Sequence, residues 1–461
     1  RDMILKKNDE TEVEITAVSS DGAGIARADG AAVFVPCTAV GDRVRVRIIK
    51  AQKNYYIGKA MEITAPSKHR IFPDCPVFEK CGGCAFRHIS YDEEINIKHR
   101  RVADCLSRIA KVDITPEPVV FAEQIDRYRN KAQLPIGIDK EGKIYAGFYA
   151  KKSHRIIDCG SCKLQPEEFK TITDIFIDHL KTNGISVYDE QSGKGLCRHL
   201  YIRKGFASGQ TAVCAVINGE RLPAAEELYE RLKRAVPSVV SLSVNINRGR
   251  NNVIMGKKCV TLFGSDEITD TLCGVEFSLS PLSFYQVNSL QAQKLFTIAT
   301  DLADLDENSI AVDLYCGAGA IGLIAAKRKN IKALYGVEIV PEAVENAGYN
   351  ALRNGIENAH FICGDASKGA AELLKMKVSP DVVFVDPPRK GCDRETLGIA
   401  AQKMSPKRIV YVSCDPATFA RDAAILKEMG YDLKKAVPVD LFPRTPHIET
   451  VVLFKQTADC V

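Results

Sequence analysis

AVDLYCGAGAIGLIAAKRKNIKALYGVE, residues 311–338, decides the architecture of the C-terminal part of the chain. An apolar run, AVDLYC, ends in Gly317-Ala-Gly319-Ala-Ile-Gly322; a helical stretch follows, and a second strand, ALYGVE, closes on Glu338. Glycines at a strand-to-helix turn let the backbone bend sharply and let a ligand approach the helix N-terminus. A carboxylate at Glu338, 21 positions after Gly317, is placed to accept hydrogen bonds from both hydroxyls of a ribose. Taken alone, the motif also fits a nicotinamide dinucleotide site, or a structural turn without a ligand.

Outward from this unit the rhythm continues. HFICGD (360–365), DVVFVD (381–386), RIVYVSC (408–414), AVPVDLF (436–442) and ETVVLF (449–454) read as further strands. One intervening helix begins at Pro341 and ends at Asn354, before Gly355. Five strands alternating with helices predict a doubly wound parallel sheet, an α/β Rossmann-like domain over 270–461. The third strand ends at Asp365 and the fourth at Asp386, in VDPPRKG. An acid followed by two prolines makes a rigid loop at the carboxyl edge, where open α/β sheets bind ligands. It resembles a methyltransferase loop and has no place in a dehydrogenase fingerprint, so the expected cofactor is S-adenosylmethionine.

The fifth strand ends at Cys414, followed by Asp415-Pro416 and a helix. A thiol before a helix N-terminus is expected to have a lowered pKa and to act as a nucleophile; the plain alternative is a buried strand-end cysteine. Uracil C5 is a poor nucleophile, but C6 accepts a thiolate, after which C5 attacks a methyl group and a base removes its proton. The candidate base is Glu449, in RTPHIE (444–449), with His447 as the nearby alternative and a surface strand acid as the plain reading.

The 461 residues predict two or three domains. No apolar run approaches a membrane span, and the opening RDMILKKNDE lacks the apolar core of a signal peptide, so a cytoplasmic protein with no membrane partner is expected. That context reads the 16 cysteines as ligands, nucleophiles or core, with Cys37, Cys214 and Cys259 in apolar runs. The net charge of +5 says little, but its distribution says more. Arg43–Arg70 is rich in Lys and Arg with the single acid Glu62, while 194–204 and 245–263 each hold four basic residues and no acid. Such stripes suit a phosphate track on a nucleic acid; the expected partner is RNA, not DNA. Residues 11–64 alternate apolar and polar between Gly turns and read as a small β-barrel; 91–112 is helical, and strands mix with helices from Asp113 to Gly264.

Six ordered motifs, SFYQVN (283–288), DLYCGAG (313–319), GVEIV (336–340), DPPRKG (386–391), SCDP (413–416) and HIETVVLF (447–454), resemble the RNA uracil-5 methyltransferase family over essentially the whole chain. The resemblance implies a TRAM RNA-binding β-barrel over 1–65, a central α+β RNA-binding domain over 66–269 and a catalytic domain over 270–461. It implies Cys414 as nucleophile, Glu449 as proton acceptor, and Gln286, Tyr315, Glu338 and Asp386 around the cofactor, beside Gly317 and Asp365. Cys75, Cys81, Cys84 and Cys162 resemble the family's [4Fe–4S] ligand set; spacing alone permits zinc, and Cys159 competes with Cys162. The closest branch modifies 23S ribosomal RNA, with transfer RNA as the alternative substrate and a monomer as the expected state. A non-catalytic RNA-binding assembly factor, a cytosine-5 enzyme and an amino-group methyltransferase are the rival readings. A stacked uridine must be flipped out before C6 is accessible, with Phe284 and Arg389 as candidates to replace the lost stacking.

Overall fold

The structure, a computed structural model, describes residues 5–457. It divides into two compact units. The first holds the chain up to Arg100 with Phe148–Cys159 and Phe442–His447; the second holds Arg101–Gly147, Gly160–Leu441 and the chain from Ile448.

In the first unit, strands β1 (Glu10–Glu14), β2 (Ala17–Val18), β3 (Gly24–Ala28), β4 (Ala31–Val35), β5 (Arg43–Ala51) and β6 (Tyr55–Ala65) form one sheet in the order β1-β5-β6-β4-β3-β2. Period-2 patterning sets its faces: Val44, Val46 and Ile48 are buried beside Val13, Val33, Val35 and Tyr56, while Arg43, Arg45 and Arg47 point to solvent. Gly58 is required where β5 and β6 meet, because a Cβ there would lie 2.2 Å from Val46 Cγ1. The basic run on β5 is less free than its sequence suggests. Glu10, across the sheet on β1, accepts from Arg45 (2.9 Å) and Arg47 (2.8 Å), and Glu62 pairs with Arg45 (2.8 Å). The boundary between the units falls inside helix α1 (Tyr91–Cys105), which continues as a π-helical turn, Leu106–Ala110, and stops at Lys111 with φ 53°.

The second unit holds β7 (Lys131–Ile138) and β8 (Ile144–Tyr149) as far as Gly147; the end of β8 and the short β9 (Ile156–Asp158) belong to the first unit. After α2 (Glu167–Thr182) come β10 (Cys197–Lys204), β11 (Thr211–Ile217), α3 (Ala225–Ala235), β12 (Val239–Ile246) and β13 (Lys258–Gly264). The sheet runs β13-β12-β11-β10-β7-β8, and β11, buried along its length, is apolar almost throughout. A hairpin, β14 (Ile268–Leu272) and β15 (Val275–Leu279), and helix α4 (Ser289–Ala303) lead into the last sheet.

That sheet is built from β16 (Ile310–Leu314), α5 (Ala320–Lys329), β17 (Ala333–Glu338), α6 (Pro341–Arg353), β18 (Ala359–Cys363), α7 (Ala366–Lys375), β19 (Val382–Val385), α8 (Arg394–Gly398), β20 (Arg408–Ser413), α9 (Pro416–Glu428), β21 (Tyr431–Val439) and β22 (Glu449–Gln456). Its order is β18-β17-β16-β19-β20-β22-β21. The first five strands are parallel, as the alternation predicts; β22 runs antiparallel between β20 and β21. Chain direction reverses its order at β16, so the crevice opens at the carboxyl ends of β16 and β19. No helix among the described residues is long and apolar enough to cross a membrane.

Candidate active site

The glycine loop after β16 has the backbone its sequence demands. Tyr315, Gly317 and Gly319 take φ of 65°, 54° and 84°, and a Cβ on Gly317 would meet nothing within 4 Å. Glu338 ties this loop to the next: Oε2 accepts from Gly317 N at 3.0 Å and Oε1 from Val340 N at 2.9 Å. Behind them Asp313 is 1% exposed. Its Oδ2 accepts from Gly322 N at 2.9 Å, while Oδ1 has no partner. Burial, reinforced by the charges of Asp386 and Glu338, pushes the Asp313 carboxyl up to about 8. Asp313 was not singled out by sequence reading. Its only signal is an acid in an otherwise apolar strand.

Asp386 follows β19 with a carboxylate that accepts no hydrogen bond among the described residues, and burial pushes it up to about 7. Asp365 caps α7, accepting from Ser367 N (3.0 Å) and Ser367 Oγ (2.8 Å), bonds that hold it below the usual carboxylate range. The Tyr315 side chain turns to Thr396 and Cys392, and burial raises its phenol. In SFYQVN the anchors and the free groups separate cleanly. Tyr285 Oη donates to Asp270 (3.1 Å), Asn288 caps α4, and Asn130 Nδ2 donates to the Gln286 carbonyl (2.8 Å). Arg203 donates to the carbonyls of Ser280 (2.9 Å) and Ser283 (2.8 Å). The Gln286 side chain is left without a hydrogen bond among the described residues, and Phe284 is 73% exposed. An open glycine cradle, an orphaned buried oxygen on Asp313 and two carboxylates at one sheet edge fit S-adenosylmethionine, a cationic nucleoside.

The antiparallel insertion of β22 makes the second half of the site. Ser413 on β20 pairs with Thr450 on β22, so the next residue of one strand, Cys414, and the preceding residue of the other, Glu449, are neighbours. Glu449 is 4% exposed and its carboxyl makes no hydrogen bond among the described residues. Burial, then the charge of Asp386, pushes it up to about 8, with Arg389 opposing. Cys414 is half-buried, and its thiol is pushed up to about 11, first by burial and then by Glu449, against the pull of Arg389. This corrects the expectation of a lowered thiol pKa. The helix N-terminus that was to stabilise the thiolate is capped by Asp415, whose Oδ1 accepts from Ala417 N (2.9 Å) and Thr418 N (3.1 Å). His447 falls in the first unit, where its ring meets Phe442 edge-on at 6.0 Å.

Sequence reading also missed the clamp beneath this site. Asp422 on α9, fully buried, accepts from Tyr411 Oη (2.7 Å), Cys392 N (2.8 Å) and Arg421 Nε, the last through its other oxygen (2.9 Å). Thr418 Oγ1 donates to the Arg389 carbonyl (3.1 Å) and Arg421 Nη2 to that of Lys390 (3.0 Å). One helix therefore holds both the DPPRKG loop and the strand that ends at Cys414. Asp422→Ala strands the Tyr411 hydroxyl and the Cys392 amide, so a loss of about 3 kcal/mol in urea denaturation is expected, with weaker binding of S-adenosylhomocysteine in calorimetry.

Of the cysteine ligand candidates, Cys75, Cys81 and Cys84 lie half-buried in the first unit and Cys162 in the second. Cys81 is hydrogen-bonded to Cys159, which lowers its thiol to about 6, and Gly83 N donates to Cys81 Sγ at 3.4 Å. Among the described residues no three His, Cys, Asp or Glu side chains gather as a metal site.

Residues 90–457 match the family model described as tRNA (Uracil-5-)-methyltransferase, and residues 5–61 match that of the TRAM domain. A Clostridium tetani protein named as an uncharacterized RNA methyltransferase is 42% identical over 459 residues, covering 100% of this chain and 99% of its own length. A Halalkalibacterium halodurans protein with the same description is 42% identical, with 98% of each chain covered. Among solved structures, the Pyrococcus abyssi tRNA (uracil-54, C5)-methyltransferase in complex with S-adenosyl-L-homocysteine superposes with a TM-score of 0.78 at 27% identity, covering 96% of this chain and 99% of that one.

Proposed function

The chain belongs to the tRNA (uracil-5-)-methyltransferase family, S-adenosylmethionine-dependent RNA methyltransferases, and from that premise we propose that it forms 5-methyluridine in 23S ribosomal RNA through a covalent adduct on Cys414. One observation carries the mechanism: antiparallel β22 sets a buried carboxyl without a hydrogen bond among the described residues, Glu449, beside the thiol that follows β20.

Gly317, Glu338, Asp365, Asp386, Gln286 and the Tyr315 backbone would hold S-adenosylmethionine, which would supply a methyl group on a cationic sulfonium. Cys414, its thiol proton lost to solvent, adds as thiolate to uridine C6, and the C5–C6 π pair moves towards C5 and O4. C5 would then take the methyl group, with the electron pair of the broken bond left on the cofactor's sulfur. Glu449 as carboxylate removes the C5 proton, the C5–C6 double bond reforms, and the C6–S bond breaks to return the thiolate. Phe284 supplies the exposed aromatic face for a base left without its neighbour when the uridine flips out, and Arg389 offsets negative charge at both Cys414 and Glu449.

A pH dependence follows from these shifts. Glu449 must be ionised to act, and below about 8 the free protein holds it protonated. kcat/KM is therefore expected to rise with pH through that value and to go on rising towards about 11, where the Cys414 thiol ionises, since this parameter reports the free enzyme. Single-turnover rates across neutral to alkaline pH test it; a flat profile removes Glu449 as the base.

The three-part division at 65/66 and 269/270 and a [4Fe–4S] cluster on Cys75, Cys81, Cys84 and Cys162 belong to the same proposal, as do a monomeric state and cytoplasmic action. Anaerobically purified protein is expected to carry about four irons per chain, reduced in a Cys81→Ser variant. Iron-free protein of full stability would remove the cluster.

The test of the substrate is methylation of unmodified 23S and transfer RNA transcripts, followed by nucleoside mass spectrometry. 5-Methyluridine in the 23S transcript supports the first assignment. The second reading, transfer RNA, is favoured by the name and full-length likeness of the Pyrococcus abyssi enzyme; label only in transfer RNA would establish it.

A further inference from the structure

Two acid-free stretches that are distant in sequence, 194–204 and 245–263, meet at the β12–β13 end of the central sheet. Arg198 on β10 sends Nη1 to the carbonyls of Asn247 (2.9 Å) and Gly249 (2.7 Å), with its guanidinium 4.2 Å from the Tyr188 ring centroid. Arg250 Nη2 reaches the Ser192 carbonyl at 3.5 Å.

The loop between β12 and β13 is folded by its own asparagines. Asn247 Nδ2 donates to the carbonyls of Val253 (2.7 Å) and Ile254 (2.9 Å), and Asn247 Oδ1 accepts from Gly249 N (3.0 Å). Asn245 holds Gly256 at both its amide (2.6 Å) and its carbonyl (2.8 Å). A backbone fixed in this way holds its charged side chains at set positions.

Lys194, Arg248, Arg250, Lys257 and Lys258 are all exposed. Arg248 pairs with Glu220 at 2.9 Å; the other four form no ion pair among the described residues. None of them enters the chemistry at Cys414. Four cations without an ion pair among the described residues, Arg250 and Lys257 on an ordered loop, Lys258 at the start of β13 and Lys194 ahead of β10, attract a partner with a regular array of anions.

We propose that this loop is a docking site for the phosphodiester backbone of the RNA substrate, gripped by Lys194, Arg250, Lys257 and Lys258 rather than read base by base. The proposal rests on the reading of the protein as an RNA methyltransferase. RNA is favoured over an acidic protein because this surface offers cations and amides, the groups that bind phosphate and sugar, and few exposed apolar side chains, Val253 on the loop and Val260 at the margin on β13, where a protein interface needs an apolar centre.

The experiment measures binding of the full chain to unmodified 23S transcript as a function of potassium chloride concentration. One variant carries Lys194→Gln, Arg250→Gln and Lys257→Gln. A second carries Lys257→Gln and Lys258→Gln, side chains without a hydrogen bond to lose. The control carries Lys140→Gln, Lys375→Gln and Lys403→Gln, three exposed cations elsewhere. The slope of log K against log salt is expected to become shallower by roughly two to three in the first variant and one to two in the second, and to stay at the wild-type value in the control. Equal slopes in all four proteins would overturn the docking site, as would lost methylation at an unchanged slope, the outcome expected of a protein partner. Failure of the parent reading is separate and is read on the wild type alone, as absence of methylation of any RNA.

Discussion

Cys414→Ala is expected to lower methyl transfer by roughly 10⁴-fold or more, the scale on which loss of a covalent nucleophile acts. The size of the effect follows from the reaction itself, since without addition at C6 the C5 carbon stays a poor nucleophile and no enolate forms. The loss is specific. Cys414 lies past the end of β20, half-buried, while the glycine loop is held by Glu338 and the DPPRKG loop by α9, neither of which uses the thiol. Binding of S-adenosylhomocysteine is therefore expected to stay within about twofold of wild type, because the removed group holds neither of the two loops. Calorimetry and a single-turnover assay separate the two terms. A variant that binds cofactor and still methylates would remove Cys414 from the mechanism.

Glu449→Gln is expected to stall the reaction after methyl transfer. The amide is nearly isosteric and cannot accept the C5 proton, so the C6–S bond persists and a covalent protein–RNA complex accumulates. Turnover is expected to fall by roughly 10²–10⁴-fold, the usual worth of a positioned general base. Removing the carboxyl also removes the second-largest cause that raises the Cys414 thiol, so thiolate formation is not impaired and addition still proceeds. Denaturing gel electrophoresis of labelled RNA shows the complex. Fast release of 5-methyluridine product from this variant would assign the proton to another group.

Much of this site is legible in the sequence where the signal is local. Gly317 and Glu338 are fixed by strand, turn and spacing, and in the structure they are joined by a hydrogen bond. Pro341 opens α6, and β16 to β20 are parallel strands joined through helices, as their alternation requires. What escaped sequence reading depends on partners brought from elsewhere in the chain. Asp313 and Asp422 are single acids in apolar surroundings, and only the fold reveals Gly322 N beside the first and Tyr411 with Cys392 N beside the second. The thiol of Cys414 was misread for a similar reason. Proximity to a helix N-terminus is visible in SCDP, but Asp415 takes the amides and the neighbouring carboxyl groups push the thiol the other way. Arg45 and Arg47 look like a free phosphate track until β1 brings Glu10 across the sheet. In the acid-free loop of 247–257 only Arg248 meets that fate, pairing with Glu220; Asn245 and Asn247 hold the loop's backbone and leave Arg250 and Lys257 without an ion pair among the described residues.

The most direct measurement of the central claim is peptide mapping after incubation with cofactor and 5-fluorouridine-substituted 23S transcript. Fluorine at C5 cannot leave as a proton does, so the adduct formed after methyl transfer has no route to release. A single crosslinked peptide carrying methylated fluorouridine on Cys414 is the predicted result. Contradiction would come from normal methylation of the unsubstituted transcript with no adduct at all, or with an adduct on a different cysteine.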